Sequence, residues 1–503
     1  MPVSFTPPPA ARAFIYEALL VLLGLAYFVL FFRLGSAPLM LWDESRLAVN
    51  AAEMLARREW LVTTFGQQPD LWNTKPPLMI WLQALSIKTL GYTQLAVRLP
   101  SALAALATIL LVFRFGARQL GSPLLGWLAA LVLLSTAGFV CEHVARTGDY
   151  DALLIGWTTL GTLAFSQYMR THRAGLGLLA AAAFALAVLT KGIAGVLFAP
   201  ALLLFTWRSG QLGWLLRQRA FYLGLGGFGL VIAGYYGLRE QAAPGYLAAV
   251  WANELGGRAL QALDGHQEPW SWYWKLLTTI HFSLWLLPAI SGLLLGLRQP
   301  RLSALREFAE LAGLVVGGHL LLISLVQTKL EWYVAPIYPF LALLAAMGLT
   351  FIHTAVIGYF QLRPPRPWQL LAFGLLVCWL PYLAILNRLD TQFQRRFAQG
   401  NQQFGRYLAG QAAQQPTLTA YTMLSSENNN APLDWYALAM QAAHGHRVER
   451  RYGSAATSLR AGQTVVVCAP RLRQRLESAY ATELLFAQDS CATLRILGAL
   501  APK

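Results

Sequence analysis

The feature that most constrains the fold is a series of apolar segments, each long enough to cross a lipid bilayer. A membrane-spanning helix needs about 20 mostly apolar residues, and by that measure the chain contains about 11 such segments. Lipid offers the backbone no hydrogen-bond partner, so each segment is expected to be a helix. The sequence therefore predicts an all-α polytopic membrane protein. The segments begin near residues 14, 98, 123, 151, 174, 193, 219, 276, 309, 333 and 368.

Composition and charge support a membrane protein and argue against nucleic-acid binding. The 503 residues are 56% hydrophobic and 12% charged, which is too apolar for a soluble globular protein. The net charge is +16, but the arginines are scattered through loops and form no basic, aromatic platform. Membrane lipid is the expected partner, and nucleic acid is not. The first apolar segment lacks a small-residue cleavage site and is expected to be retained.

The basic residues also predict an orientation. Short arginine-bearing loops alternate with loops poor in basic residues, and the basic ones are expected to face the cytoplasm. We therefore expect a multi-pass inner-membrane protein with a cytoplasmic N-terminus and an extracytoplasmic C-terminal domain. The long connections are then expected at the outer face. Binding and catalytic residues often lie on such loops. These connections are residues 34–97, 146–151, 238–275 and 327–332 and the chain after 388.

Two domains are expected, a transmembrane domain over residues 1–387 and a small extracytoplasmic α/β domain over residues 388–503. The second contains Cys468 and Cys491, which an extracytoplasmic location would allow to pair, although the sequence leaves this open. Its strand-like runs are 417–423, 464–468, 484–487 and 492–497, with a helical stretch at 471–480.

The first outer loop contains two segments with the pattern of surface helices. The first has a polar stripe opposite an apolar face, which is typical of a helix lying on the membrane surface. The second, residues 76–90, begins at Pro76 and Pro77, ends before Gly91 and is too short to span. The polar stripe consists of Arg46, Asn50, Glu53 and Arg57.

Carboxylates occur at two outer helix ends. Asp43 and Glu44 follow the first span, where an acidic group points to a functional site, although Asp43 also suits the role of helix N-cap. Arg146, Asp149 and Asp151 lie between the third and fourth spans. One of these aspartates would suffice as a cap, and the run is more polar than a cap requires.

Candidate cations occur at the same face. Lys75 precedes the second surface helix and Lys191 ends the fifth span. Snorkelling to the interface explains each lysine alone, but together they suggest a shared anion site. The loop at 251–273 mixes charge with aromatic residues, as sugar-binding surfaces often do, although Trp and Tyr also gather at membrane interfaces. Its candidate binding residues are Arg258, His266 and Tyr273.

These residue types suit transfer of a sugar from a lipid phosphate. The phosphate ester leaves as a stable anion, so a general acid is dispensable. The reaction then needs a base for the incoming hydroxyl and fixed positive charge at the phosphate oxygens. Asp43 fits the first requirement, and Lys75, Lys191 and Arg258 fit the second.

The ordered set of motifs resembles the superfamily of protein O-mannosyltransferases and lipid A aminoarabinose transferases, which have the GT-C fold. The likeness covers residues 14–350, and its specificity lies in the order of the motifs. The motifs are Asp43-Glu44, Lys75-Pro76-Pro77-Leu78, Arg98-Leu99-Pro100-Ser101, Asp149-Tyr150-Asp151, Lys191-Gly192, and Lys329 to Tyr333 followed by Pro336 to Pro339.

The resemblance implies an inverting glycosyltransferase that uses a polyprenyl-phosphate sugar donor at the extracytoplasmic face, with a lipid, glycan or protein as acceptor. In that family Asp43 matches the catalytic base, Lys75 the lysine near the lipid phosphate and Asp151 a second acidic motif. Thr74 stands where aminoarabinose transferases usually carry an acidic residue, which in some holds a metal. The generic bacterial branch is therefore the better fit.

The main alternative is a secondary transporter or lipid flippase. Transporters place ionisable groups near the bilayer midplane on broken, repeated helices, whereas the acids here lie at outer helix ends and no repeat is visible. A match to a dinucleotide-binding pattern at 224–229 lies within an apolar span and indicates helix packing. A divalent metal is left open without a supporting motif, because Glu142, His143 and His266 have no recognised ligand spacing.

Overall fold

The chain is a multi-pass helical membrane protein. The computed structural model describes residues 9–141, 143–257, 267–398, 404–426, 430–453 and 458–500. Within these residues, seven helices are long and apolar enough to cross a membrane, and a pair bent by 111°, Trp272–His281 with Ser283–Leu297, adds an eighth if counted as one span. The seven are Arg12–Phe31, Gln94–Gln119, Ala174–Val196, Arg219–Ala242, Ala304–Leu325, Glu331–Tyr359 and Pro367–Arg395.

The remaining three predicted spans correspond to helices that are shorter or less apolar. Pro123–Leu134 and Ala199–Arg208 have 12 and 10 residues. At 1.5 Å per residue neither covers a bilayer core of about 30 Å. Asp151–Thr171 has 21 residues but carries four threonines. The multi-pass fold is thus confirmed, while the number of crossings stays a prediction.

The helices are numbered in chain order. They are α1 Pro9–Ala26, α2 Asp43–Arg57, α3 Leu78–Leu90, α4 Gln94–Arg114, α5 Pro123–Leu134, α6 Ala137–Val140, α7 Asp151–Thr171, α8 Ala174–Lys191, α9 Ala199–Arg208, α10 Leu212–Leu215, α11 Arg219–Ala242, α12 Tyr246–Val250, α13 Trp272–Leu276, α14 Ser283–Leu297, α15 Ala304–Leu325, α16 Tyr338–Tyr359, α17 Pro367–Ala398, α18 Phe404–Gln414, α19 Ala431–His444 and α20 Pro470–Ala479. Tighter or wider helical turns are Tyr27–Phe31, Phe115–Gln119, Gly192–Val196, Trp251–Gly257, Leu277–His281 and Glu331–Ile337.

The first outer loop contains α2 and α3, as predicted, but α2 does not lie on the membrane with its polar stripe in water. Asn50 and Glu53 are buried. They bond the short hairpin that follows α2, Asn50 through the Thr64 carbonyl and Glu53 through the Gln67 amide. The middle of the stripe is therefore internal, because the hairpin covers it, whereas Arg57 at its end is exposed. The hairpin strands are β1 Thr64–Phe65 and β2 Gln68–Pro69.

The C-terminal region forms a five-stranded sheet with helices, as predicted. The strand order is β4-β3-β5-β7-β6, with β3 parallel to β4 and β5, and β7 antiparallel to β5 and β6. Cys468 and Cys491 form a disulfide beside the β5–β7 pairing. The strands are β3 Ala420–Ser425, β4 Arg447–Tyr452, β5 Thr464–Val467, β6 Tyr480–Gln488 and β7 Cys491–Ala499.

This domain packs directly on the first outer loop. One apolar cluster joins Leu47 and Met54 of α2 to Trp435 of α19. The hydroxyl of Tyr436 accepts the Leu39 amide at 3.4 Å and a hydrogen bond from Gln94 at 3.1 Å. The apolar face of α2 is thus covered by protein, and the C-terminal domain fixes the helix that begins with Asp43.

Candidate functional site

Asp43 begins α2 and is half-buried. Next to it, Glu44 is 1% exposed and pairs with the equally buried Arg98, whose Nε and Nη2 donate to the two carboxylate oxygens at 2.6 and 3.0 Å. Removing either partner would leave an uncompensated buried charge, so the pair holds its surroundings in one arrangement. Glu44, predicted to bind substrate, is thus placed in an internal ion pair.

The same pair joins three segments around Asp43. Arg98 also donates to the carbonyls of Leu34, Ala37 and Pro38, which lead into α2. Glu44 accepts the backbone amide of Gly148 at 3.0 Å. The loop that carries Asp149 is therefore tied to the start of α2.

Asp43, His143 and Asp149 form an acid and histidine cluster. One ligand-type atom from each residue lies within 4.8 Å of the others. Asp149 is 2% exposed, and its pKa is raised to about 6. Burial is the main cause; His143 lowers the pKa, while nearby Asp43 and Glu44 raise it. Among the described residues, neither Asp149 oxygen has a hydrogen-bond partner. The sequence placed the two aspartates at one face and left His143 ambiguous.

Asp151 begins α7 and Lys191 ends α8. The lysine Nζ donates to both carboxylate oxygens, at 2.6 and 2.7 Å, and both side chains are nearly buried. Lys191 Nζ also lies 5.8 Å from the centre of the Tyr333 ring. Asp151, Lys191 and Tyr333, all predicted site residues, are therefore brought together.

Lys75 lies beside the same loop. Its Nζ is 3.4 Å from a carboxylate oxygen of Glu254 and 5.7 Å from the centre of the Tyr150 ring. Glu254 also accepts the Thr74 hydroxyl at 3.1 Å, and Tyr246 donates to the Thr74 carbonyl at 2.7 Å. Sequence reasoning missed Glu254, which lies 180 positions from Thr74.

A buried polar network adjoins Tyr150. The sequence did not predict this network. Arg46 donates two hydrogen bonds to Asp70, at 2.8 and 3.0 Å. Burial alone would raise the pKa of Asp70, but the bonds and charge of Arg46 hold it below its usual value. Asn50 bonds both Asp70 and Asn73, and the Tyr150 hydroxyl donates to Asn73.

Three other predicted binding residues donate hydrogen bonds to backbone carbonyls. Arg146 donates to the carbonyls of Val29 and Phe32, which fastens its loop to the end of the first span. Tyr273 is fully buried and donates to the Leu330 carbonyl, and Lys329 donates to the Val326 carbonyl. Arg258, His266 and Glu142 lie outside the described residues.

A protein-family model described as dolichyl-phosphate-mannose-protein mannosyltransferase matches residues 74–236. That stretch begins after Asp43, which it does not include. It contains Lys75, Arg98, Asp149, Asp151 and Lys191.

Curated relatives match more of the chain. An undecaprenyl phosphate-alpha-4-amino-4-deoxy-L-arabinose arabinosyl transferase 2 from Pseudomonas fluorescens is 27% identical over 66% of this chain and 59% of its own length. One of the same name from Sodalis glossinidius is 33% identical over 35% of this chain and 32% of its own length. The chain thus matches about a third to three fifths of these relatives.

Solved structures match over nearly the whole length. ArnT from Cupriavidus metallidurans bound to undecaprenyl phosphate has a TM-score of 0.67 and 19% identity, covering 95% of this chain and 97% of that one. An Archaeoglobus fulgidus oligosaccharyltransferase gives 0.53 with 13% identity, over 88% and 65%. These likenesses show the fold. With the family match and the relatives, they confirm the resemblance to the GT-C superfamily that was predicted from the sequence.

Proposed function

We propose that this chain is an inverting glycosyltransferase that moves a sugar from a polyprenyl-phosphate donor to a hydroxyl or amine acceptor at the outer face of the membrane. One observation carries the proposal. The consecutive residues Asp149, Tyr150 and Asp151 contact three separate groups: Asp149 lies beside Asp43, Tyr150 faces Lys75, and Asp151 binds Lys191.

Asp43 is the proposed general base. It is half-buried at the end of a helix, and Glu44 beside it is already neutralised by Arg98. The acceptor oxygen or nitrogen attacks the anomeric carbon while Asp43 takes its proton. The bond between that carbon and the phosphate oxygen breaks, and polyprenyl phosphate leaves with the electron pair. Attack opposite the leaving group inverts the anomeric centre. Asp149 and Asp151 complete the proposed catalytic set.

Lys75 and Lys191 are the proposed phosphate-side cations. Each lysine is held by a carboxylate, Glu254 or Asp151, and an aromatic ring lies beside each ammonium group. Positive charge fixed in a protein stabilises developing negative charge without reorganisation. Glu44, Arg146, Arg258, His266, Tyr273, Lys329 and Tyr333 remain proposed contributors to substrate binding or to its geometry.

The donor class is supported by the relatives named for undecaprenyl phosphate-linked aminoarabinose and by the neighbour bound to undecaprenyl phosphate. Thr74 lacks the acidic group usual before Lys-Pro-Pro in aminoarabinose transferases, yet Glu254 brings a carboxylate to the Thr74 hydroxyl. The carboxylate beside Thr74 is therefore supplied by Glu254, from a different segment of the chain. The proposal does not specify the sugar or the acceptor.

The disulfide supports the proposed orientation. Disulfides persist in oxidising compartments, and Cys468–Cys491 lies in the C-terminal domain. We therefore propose an inner-membrane protein with residues 1–387 as the membrane domain, a cytoplasmic N-terminus, and residues 388–503 as an extracytoplasmic domain.

The charge placement favours an enzyme over a transporter or flippase. Asp151 is the first residue of α7 and Lys191 the last of α8, so this pair lies at helix ends. Transport sites are typically built near the bilayer midplane.

The test replaces Asp43 by Asn, which keeps the shape and removes the base. Purified protein in nanodiscs is supplied with radiolabelled undecaprenyl phosphate-linked sugars, aminoarabinose and mannose among them, and with lipid extract as acceptor. We expect the variant to lose at least about a hundredfold in turnover.

The matched control is Asp390→Asn, because Asp390 is an exposed aspartate paired with Arg33. It should transfer sugar like the wild type. Full turnover by Asp43→Asn would remove this residue from the mechanism. Absence of labelled product with every donor in the wild type would count against glycosyl transfer itself.

A further inference from the structure

Arg239 is a buried cation that the proposed mechanism does not use. It lies in the last turn of α11 and is 0% exposed. Among the described residues, none of its three side-chain nitrogens has a hydrogen-bond partner of ordinary geometry. Removing a charge from water is costly, so the groups packed around Arg239 have to compensate for the lost hydration.

Aromatic rings provide that compensation. The central guanidinium carbon of Arg239 lies 4.6 Å from the centre of the Tyr246 ring. A cation is attracted to the face of an aromatic ring within about 6 Å of its centre. Tyr246 stacks on Tyr236 with centroids 5.9 Å apart and meets Tyr235 edge-on at 6.3 Å. These three residues, here called the tyrosine block, join the end of α11 to α12.

The turn between α11 and α12 is fixed as well. The Glu240 carboxylate accepts the backbone amides of Gly245 at 2.9 Å and Leu247 at 2.7 Å. Gly245 has φ +93°, a conformation that a residue with a side chain rarely adopts. Arg239 and Tyr246 therefore face each other across a closed turn.

Tyr246 connects this arrangement to Lys75. It is 1% exposed, and its hydroxyl donates to the Thr74 carbonyl at 2.7 Å. That carbonyl belongs to the peptide that joins Thr74 to Lys75. The hydrogen bond therefore fixes the backbone from which the Lys75 side chain extends.

Tyr236 lies beside the segment that carries the second lysine. A Cβ atom added at Gly192 would be 3.5 Å from the Tyr236 hydroxyl and 4.0 Å from the Pro76 ring. Gly192 follows Lys191, and Pro76 follows Lys75. The tyrosine block therefore contacts the backbone next to both proposed phosphate-side lysines.

We propose that Arg239 is a positioning residue, which sets the placement of Lys75 and Lys191 through the tyrosine block. The inference rests on the proposed function of the two lysines. Because Arg239 is fully buried, it acts through the rings and not by contact with the donor. Fixed charges stabilise a transition state only where they are held in place, and a displacement of about 1 Å can cost about a hundredfold in rate.

The test compares three variants in nanodiscs, with the radiolabelled undecaprenyl phosphate-linked donor and the acceptor extract varied in turn. Tyr246→Phe keeps the ring and removes the bond to Thr74, and Arg239→Met removes the charge. We expect each to lower kcat/KM for the donor at least about tenfold and to leave the KM for the acceptor unchanged. Arg239→Lys keeps a cation beside the ring and should recover part of the loss.

The other end of α11 contains matched controls. Tyr222 is 56% exposed and, like Tyr246, donates to a backbone carbonyl, that of Leu216. Arg219 is exposed. Tyr222→Phe and Arg219→Met should transfer sugar like the wild type. Thermal unfolding followed by tryptophan fluorescence tests that each variant is folded. If Arg239→Met does not fold, Tyr246→Phe decides, because it keeps every ring in place.

A folded Arg239→Met variant with the wild-type kcat/KM for the donor would overturn the positioning role and leave the proposed function standing. Equal losses for donor and acceptor, together with a lower unfolding temperature, would show a purely structural role and would also overturn it. A wild type that transfers no sugar from any donor would contradict the proposed function, and the positioning role with it.

Discussion

Asp149 and Asp151 are two positions apart and have opposite electrostatic surroundings. Asp151 accepts both of its hydrogen bonds from Lys191, whereas Asp149 faces His143 and Asp43 without a bonded cation. Tyr150 between them turns toward Lys75 and Asn73. Similar carboxylates in one short run therefore differ in pairing, and of the two only Asp151 has a lysine bonded to it in the described part of the chain.

The buried pair of Lys191 and Asp151 makes a stability prediction. Lys191→Met leaves an unpaired carboxylate and should lower the free energy of unfolding by about 3 to 5 kcal/mol. The double variant Lys191→Met with Asp151→Asn should recover most of that loss, because no charge is then left buried. Thermal and denaturant unfolding in detergent measure the stability of the single and the double variant. The control is Lys88→Met at an exposed position, whose free energy of unfolding should stay within about 0.5 kcal/mol of the wild-type value. A double variant as unstable as the single one would contradict the pairing.

At the level of elements, α2 is the part on which the site depends. Its polar face is bonded to the β1–β2 hairpin and Asp70, and its apolar face is covered by α19. Its first turn carries Asp43 and Glu44. A change in the C-terminal domain is therefore transmitted to the proposed base through packing.

Trp435 is the residue of α19 that tests this coupling. It is fully buried and its ring lies 5.8 Å from that of Tyr92. Trp435→Ala should lower unfolding free energy by about 3 to 5 kcal/mol and reduce sugar transfer, since α2 loses its support. The exposed Trp368→Ala is the control. Stability loss with transfer unchanged, measured below the unfolding temperature, would show that α19 does not position the site.

At the scale of the whole molecule, the helical part and the sheet part of the chain are joined through a shared apolar cluster. The acids and lysines of the proposed site lie at or beside helix ends, and the sheet domain packs on the segment that carries α2. The two units are therefore expected to work as one body.

The disulfide tests the orientation of that body. Protein made in cells that export it should contain Cys468–Cys491 oxidised, with Cys141 and Cys378 as buried cysteines outside that disulfide. Alkylation under denaturing conditions, before and after reduction, with mass readout separates the two states. Cys468→Ser with Cys491→Ser should cost about 3 kcal/mol of stability. Alkylation of Cys468 and Cys491 before reduction would place the domain in the cytoplasm.

Much of the architecture follows from local sequence patterns. Runs of about 20 apolar residues require helices in lipid, and strand-like runs predicted four strands of the C-terminal sheet. The strand β4 was not predicted because Arg447–Tyr452 carries three arginines and a glutamate, which an edge strand tolerates but which hide its pattern. The ordered acidic and basic motifs likewise led to the superfamily.

The sequence by itself determined that the chain spans a membrane, which acidic and basic residues occur near the ends of its helices and which superfamily they resemble. Only the tertiary structure decided which charged and polar side chains pair with one another. Arg98 reaches Glu44 across 54 positions, Glu254 reaches Thr74 across 180, and Asp149 lies 3.6 Å from His143. The physical reason is that periodicity and hydropathy are local properties of the chain. Pairing of buried charges depends on how distant segments pack, because a Coulomb interaction is strong only over a few ångströms in a dry interior.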